Sequence, residues 1–564
     1  GFNEDVGRVL ASFVYSNARM AAGGLNAGAM DKSIKAIPQE QGELKDVAMG
    51  LRSYIQDPQE EGQAVRGFLF AQYLGGSVAS AAVNMTQPFA VTLPWLSQYG
   101  GIKKAGAQMA KALRDMGTRG FQYEADLAKA LQAAEDDGTV SPQEVHQLMA
   151  QARGAGGMRS GDGTRKGDSL ATASNVWEKT KVVWGQPFAL AEQFNRRSTF
   201  IASYRIAKEQ GMGNPGEFAR KAVLETQFLY SKANKMRWAR GPVGGTLMTF
   251  KTYSVSYLEL MQRMWTQGGP EGKRAVGWAL AMLLLMSGAG GVPFIEDAED
   301  LIDGAGQMMG YNLMSKHVRK EFLESTFGRE LAEFMNSGVS GLPGSPIDLG
   351  RLGMGNLIQG TGLALNKPNR MRDLLELAGP AGDLVSRGFS GAGSVLKGVA
   401  TGDLGAMGQG VMEVMPGAAR NLAKGADMAA SGMYKDTKGY KVMDTTLDEA
   451  LFKMIGFQPK SVAEDSEVTA FQRRTASFYT QQSSEIKAQW ADALFLKDEA
   501  AVQKVRARLA DWNRNNPDQP ITVKIPEVWK KVREMGKDRT QRIAEAAPKA
   551  LREQMRLQAA EVRG

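Results

Sequence analysis

Residues 103–134 read KKAGAQMAKALRDMGTRGFQYEADLAKALQAA. Alanine, leucine, methionine and charged residues dominate, and the apolar positions recur at three- and four-residue spacing. That is the period of one face of an α-helix. The stretch reads as one helical run, stopped by the turn Asp136-Asp137-Gly138. Outward in both directions the same spacing returns, and β-branched runs of period two are scarce. The expected class is all-α: an extended multi-helix assembly with few or no strands.

The segment after that turn opens Ser141-Pro142-Gln143-Glu144. Serine suits an N-cap, proline the first helical position, and glutamate three residues on completes a capping box. Asp137, Gly138, Val140, Ser141 and Glu144 also match half of a calcium-binding loop, but Ala133 stands where the first carboxylate ligand belongs. A capped helical hairpin is therefore expected, not a calcium site. Residues 154–168 (GAGGMRSGDGTRKGD) form a loop that superficially resembles a phosphate loop. Lys166 is followed by Gly167 where serine or threonine is needed, so nucleotide binding is rejected.

The chain has 564 residues, 66 of them glycine and 20 proline. Domains commonly run to about 100–200 residues, so roughly three or four are expected. No cysteine is present, which removes disulfides, thiolate nucleophiles and cysteine-held metals. His146 and His317 are the only histidines and lie far apart; each reads as a surface or helix-end residue. Net charge is +9, unevenly placed: residues 191–274 hold 14 Lys/Arg against 6 Asp/Glu, and residues 501–564 hold 15 against 8. Clustered positive charge suits phosphates of lipid or nucleic acid, or simply a solvated helix face.

Two runs carry no formal charge. Gly67–Ile102 extends over 36 residues and Ala275–Ile295 (AVGWALAMLLLMSGAGGVPFI) over 21. A helix needs about 20 apolar residues to cross a bilayer's hydrocarbon. The second run is the better spanning candidate, because Lys273 and Arg274 precede it and Glu296, Asp297, Glu299, Asp300 and Asp303 follow it. Gly288, Gly290, Gly291 and Pro293 weaken its far end. The first run is interrupted by Asn84, Gln87, Pro88 and Pro94, which favours a broken hairpin or a helix buried in protein. Core burial and bilayer contact both remain open for the two runs.

Composition divides the chain into five regions: 1–153, helical, containing the uncharged segment 67–102; the glycine-rich loop 154–168; 169–310, basic and helical, containing 275–295; 311–465, glycine- and alanine-rich with short helices; and 466–564, basic and helical. Within the fourth, 371–433 suggests short amphipathic helices punctuated by Gly-Ala-Gly, Thr-Gly-Asp and Pro-Gly turns. Residues 466–511 read as two longer helices, 513–520 as a loop, and 525–562 as a last charged helical region. Residues 1–22 read as a helix already under way, as expected of a piece of a longer polypeptide.

No nucleophile elbow, zinc-binding helix or Walker signature is found, so no catalytic, metal or cofactor residue is assigned. The candidate membrane contacts are Phe89, Trp95, Trp278, Leu280, Met282, Leu283, Leu284 and Leu285. The candidate contacts to DNA or lipid phosphate are Lys232, Lys235, Arg237, Arg240, Lys273, Arg274, Lys530, Lys531, Arg533, Lys537 and Arg539. Trp238 strengthens the first of these basic groups, because tryptophan beside arginine suits an interface. Asn195, Arg196 and Arg197, flanked by Phe194 and Phe200, read instead as part of a buried Glu192–Arg pair bracing helices.

Six segments together carry a resemblance: NMTQPFAVTLPWLSQYG at 84–100, AEQFNRRSTFIASYR at 191–205, GPVGGTLMTFKTYSVSYLE at 241–259, MLLLMSGAGGVPF at 282–294, SPIDLGRLGMGNLI at 345–358 and MIGFQPKSVAE at 454–464. In order and spacing the chain resembles the C-terminal half of the large internal virion proteins of short-tailed bacteriophages, sometimes labelled PLxRFG-type, over about residues 1–550. The Pro-Leu-x-Arg-Phe-Gly string itself is absent, as is any lytic transglycosylase or protease module. The resemblance implies a non-enzymatic, homo-oligomeric protein that lies inside the capsid around the portal axis. Such a protein leaves before the genome and reassembles as a conduit across the host periplasm and inner membrane. Its implied partners are itself, other internal virion proteins, the portal, the phage's double-stranded DNA and the host inner membrane, with no small-molecule substrate. Thirty methionines fit this role as side chains that tolerate repacking.

Overall fold

The computed structural model describes residues 27–56, 63–141, 185–228, 239–241, 244–245, 251–348, 379–401, 404–436, 439–537, 543 and 547–561. These residues are overwhelmingly helical, and the chain is all-α. Its helices begin with α1 (Gly42–Gln56), α2 (Gln63–Tyr73), α3 (Val78–Asn84), a π-helical turn (Pro88–Thr92), α4 (Leu93–Ser97), α5 (Gly101–Gly117) and α6 (Ala125–Asp136). They continue through α7 (Gln186–Glu209), α8 (Pro215–Thr226), α9 (Thr252–Gln267), α10 (Gly269–Ser287), α11 (Ile295–Met308), α12 (Ser315–Phe327) and α13 (Arg329–Ser337). Then come α14 (Gly379–Thr401), α15 (Leu404–Val414), α16 (Gly417–Ser431), α17 (Leu447–Met454), α18 (Lys460–Phe495), α19 (Glu499–Asn515), α20 (Ile525–Met535) and α21 (Lys549–Glu561). Among the described residues, strands are confined to two short antiparallel pairs, β1 (Ile347–Asp348) with β4 (Gln458–Pro459) and β2 (Met433–Lys435) with β3 (Lys441–Asp444).

Local chemistry sets many boundaries. Ser77 caps α3 by accepting from the Ser80 amide at 3.1 Å, and Asn214 caps α8 by accepting from Glu217 at 3.2 Å, with Pro215 at the first position. Thr446 and Glu449 form a reciprocal capping box on α17. Three expectations need correction. The run 103–134 is two helices, not one: α5 stops at Gly117, Thr118 turns extended, and Gly120 takes a left-handed φ of 72° before α6 begins. The Gly391-Ala392-Gly393 run is no turn but lies inside α14. The loop expected from 513 begins only after Asn515.

The described residues form two compact units, one drawn from within 1–299 and 316–463, the other from within 300–315 and 464–564. In the first, α7 is central: fifteen of its 24 residues are buried, polar ones among them. Burial on all sides is the mark of a helix surrounded by protein. Around it pack α3, the π-turn, α5, α6 and α8. Trp95, Leu96, Phe200, Ile201, Val223, Tyr257 and Leu260 build the core, each such side chain contributing about 1.5–3 kcal/mol by leaving water.

Several polar residues of α7 find partners on neighbouring elements. Thr199 meets Thr92 at 3.0 Å, Thr92 meets Thr226 at 3.0 Å, and the Gln227 amide donates to Thr92 and Thr199 at 3.2 and 3.1 Å. Arg205 pairs with the buried Asp115 of α5 at 2.7 Å. Glu192 pairs with Arg196 at 2.8 Å one turn along the same helix. That pair is buried. Bridging falls to Arg196 donating to the Thr139 carbonyl at 3.2 Å and Arg197 meeting Glu135 of α6 at 2.8 Å.

The second unit packs α18, α19 and α20 around Phe478, Ile486, Trp490, Val505, Trp512, Ile521 and Val528. Its inter-helix loop is clamped by Asn513, which donates to the Ile521 carbonyl at 3.2 Å and accepts from its amide at 2.8 Å.

Candidate interaction surfaces

The two uncharged runs end in different places. Gly67–Ile102 becomes α2, α3, the π-turn and α4, divided at Pro88 and Pro94, each of which opens a new helical piece. Many of its large side chains point inward, with Leu69, Val91, Leu93, Trp95 and Leu96 buried, while Phe68, Val78 and Met85 are exposed. The Trp95 indole donates to Glu225 at 3.2 Å and lies 4.9 Å from the Tyr99 ring. Trp95 is thus a core residue, 2% exposed, and Phe89 is half-buried. The burial of Trp95 corrects that expected bilayer contact in this fold.

The run 275–295 is not one helix. Gly288, at φ 72°, stops α10, and a 3-10 turn and the start of α11 take up the remainder. Gly288 lies so close to the Asn336–Ser337 backbone that no Cβ fits. The thirteen residues from Ala275 to Ser287 reach about 20 Å, short of the roughly 30 Å of bilayer hydrocarbon. Among the described residues no helix is long and apolar enough to cross a membrane. The expectation of a spanning segment at 275–295 is corrected accordingly.

What α10 does have is an inverted distribution of side-chain size. Its buried stripe is Gly272, Ala275, Val276, Ala279, Leu283 and Ser287. Gly272 packs where a Cβ would collide with the Met264 carbonyl of α9. Much of the bulk faces outward instead: Trp278 is 40% exposed and Leu285 46%, and Leu280 and Leu284 are exposed farther around the outward half of the helix. Met282 is half-buried against the core, and Leu283 is buried within it, a further correction to the membrane candidates. An outward apolar face of this kind is a candidate contact surface.

A cationic and aromatic rim adjoins it. The Lys273 ammonium sits 5.6 Å above the ring of the exposed Trp265, and Arg274 meets Glu271 at 2.5 Å. Tryptophan and lysine at the edge of an apolar face are the groups that bridge hydrocarbon to headgroup or a dry patch to water.

The other basic candidates divide. Lys232, Lys235, Arg237 and Arg539 lie outside the described residues, as do Trp238, His146 and the loop 154–168. Arg240 is half-buried with its guanidinium 4.8 Å from the Tyr54 ring. On α20, Lys530 and Arg533 are exposed and Lys531 is half-buried, as is Lys537 just beyond the helix. Trp529 shares the outward side with Lys530 and Arg533, so two cations flank an exposed indole. Val528 on the opposite side holds the helix to the core. A face of this composition can meet phosphates and stack a base or ring. The sequence reading missed Trp265 and Trp529; spacing to neighbouring lysines was the signal that points to them.

Asp137 accepts from the Thr139 amide at 2.9 Å and pairs with Arg220 at 2.8 Å. Its oxygens are thus engaged within the protein. Among the described residues no group of three His, Cys, Asp or Glu is placed to hold a metal ion. No family model, curated protein or solved structure matches the chain.

Proposed function

We propose that this chain is a non-enzymatic, self-associating structural protein of a short-tailed phage virion, ejected with the genome and contributing to a conduit for DNA through the host cell envelope. The observation that carries the reading is the outward apolar face of α10, rimmed by Lys273 and Trp265. Such a face is stable only when neighbouring copies or lipid cover it. The basic, tryptophan-bearing face of α20 supports contact with phosphates of the DNA or of the host inner membrane. The segment resemblance supplies the context of portal, companion internal virion proteins and genome.

The test is release of a trapped dye from vesicles of anionic and zwitterionic lipid. The full chain is expected to release dye, and Leu284→Glu with Leu285→Glu to release much less while keeping its helical circular dichroism. No leakage and no vesicle binding by the wild-type chain overturns the conduit reading. A second reading, a capsid core or scaffold protein that never meets lipid, is favoured by the shortness of α10. It predicts a stable oligomer in solution whose assembly, not lipid binding, is lost in the same double variant.

A further inference from the structure

Away from the surfaces described above, helices of the first unit bring cations together. On α16, Arg420 and Lys424 stand one turn apart, the spacing that makes residues neighbours on one side of a helix. Both are half-buried. The charge of Arg387, on α14, is felt at Lys424, and the charges of Arg387 and Arg420 are felt at the Tyr73 hydroxyl at the end of α2. The four side chains therefore share one neighbourhood.

The carboxylates nearest this group are already engaged. Arg387 grips both oxygens of Asp383, at 2.9 and 2.7 Å, and the Tyr73 hydroxyl donates to Asp383 at 2.6 Å. The next acid along α16, Asp427, pairs with Lys435 at 2.8 Å. Among the described residues no carboxylate pairs with Lys424, whose ammonium lies 5.9 Å from the centre of the Tyr434 ring. The backbone that carries this lysine is fixed: a Cβ on the adjoining Gly425 would lie 2.6 Å from the Ala450 carbonyl oxygen, so α16 sits directly on α17.

Withdrawing an ammonium from water without a counter-ion is unfavourable. Burial, and after it the charges of Arg420 and Arg387, hold Lys424 below the ordinary value of a lysine. A ring face offsets only part of that loss. An anion among the three cations would offset the rest, and titratable groups perturbed in this way are concentrated at functional sites.

The donors indicate which anion. Arginine offers a planar fork and lysine a mobile point charge, and both suit phosphate oxygens. A phosphate group presents three strong acceptor oxygens and close to two negative charges, whereas chloride offers a single point. We propose that Lys424, Arg420 and Arg387 form a binding site for a phosphate group between α16 and α14. The proposal does not rest on the conduit reading, since none of these residues belongs to the surfaces of α10 or α20. Free phosphate and a phospholipid headgroup carry the same chemistry, and the experiment separates them.

The full chain is acylated at its amines, and labelling is read residue by residue by mass spectrometry. Inorganic phosphate is expected to slow labelling of Lys424 severalfold while leaving the paired Lys435 unchanged. It should also raise the unfolding temperature by about 2–4 °C. Chloride at equal ionic strength should do neither. Lys424→Met keeps the apolar stem and removes a repelled charge. It should abolish the phosphate-dependent rise without lowering the unfolding temperature in phosphate-free buffer. Protection of Lys424 by free phosphate supports a soluble ligand; protection by vesicles of anionic phospholipid alone supports a headgroup at the same site. The proposal is overturned if neither protects it, or if chloride protects it equally. It is also overturned if Lys424→Met destabilises the protein in phosphate-free buffer, because the lysine then serves the fold alone.

Discussion

Segments 67–102 and 275–295 are equally free of charge, yet one builds the core and the other borders it. In the first, prolines 88 and 94 cut the run into short pieces that turn on one another, and the large residues Leu69, Trp95 and Leu96 fall on inward sides. In the second, α10 covers only Ala275–Ser287, turns Ala275, Val276, Ala279 and Leu283 to the protein and leaves Trp278, Leu284 and Leu285 outside. Absence of charge therefore says only that a segment shuns water. Which neighbour shields it depends on how bulk is distributed around the helix, and that distribution differs between two runs that both lack charge.

The largest effect expected from this contrast is on stability. Trp95→Ala removes a buried indole from the first segment and should cost about 3–5 kcal/mol in chemical denaturation, with vesicle binding of the surviving folded fraction unchanged. A loss under 1 kcal/mol would break the assignment of 67–102 to the core. Next comes Gly272→Ala, whose added methyl meets the Met264 carbonyl and should cost about 1–3 kcal/mol through overpacking. It should also shift the α9–α10 crossing enough to weaken dye release.

Smaller still in stability is Trp278→Ala, expected to lie within about 0.5 kcal/mol of wild type while reducing vesicle leakage. A large stability loss there would mean that the outward face of α10 is packed within the fold.

The smallest effect is acid-dependent and confined to the packing around α7. Lys208 donates to Asp126 at 2.6 Å, and this bond, chiefly, holds the Asp126 carboxyl below its ordinary value of 3.8. A depressed carboxylate contributes stability above its unfolded value and loses it as pH falls through the lower folded value. Stability should thus decline faster below about pH 4 in wild type than in Asp126→Asn, and Trp278→Ala should leave that limb in place. Thermal unfolding between pH 2 and pH 5 reads it out.

Much of this was legible beforehand. The helical class follows from the recurrence of apolar residues at three and four, which no strand could bury on one side. The breaks at Pro88, Pro94 and Asp136-Asp137-Gly138 follow from fixed dihedrals and missing amide donors, chemistry that acts within a few residues. Other glycines were read wrongly. Gly391 looked like a turn because glycine costs a helix stability in isolation; opposite Gly410 it instead permits two backbones to touch. Gly117 and Gly120 looked like helix interior and instead divide α5 from α6.

By itself, then, the order of residues determined that the chain is helical, where prolines cut it, and that two long runs must be kept from water. Only the tertiary structure decided which run is core and which is surface. The reason is that burial depends on partners distant in sequence, such as Glu225 beside Trp95 or Met264 beside Gly272, and no local pattern of hydropathy names them.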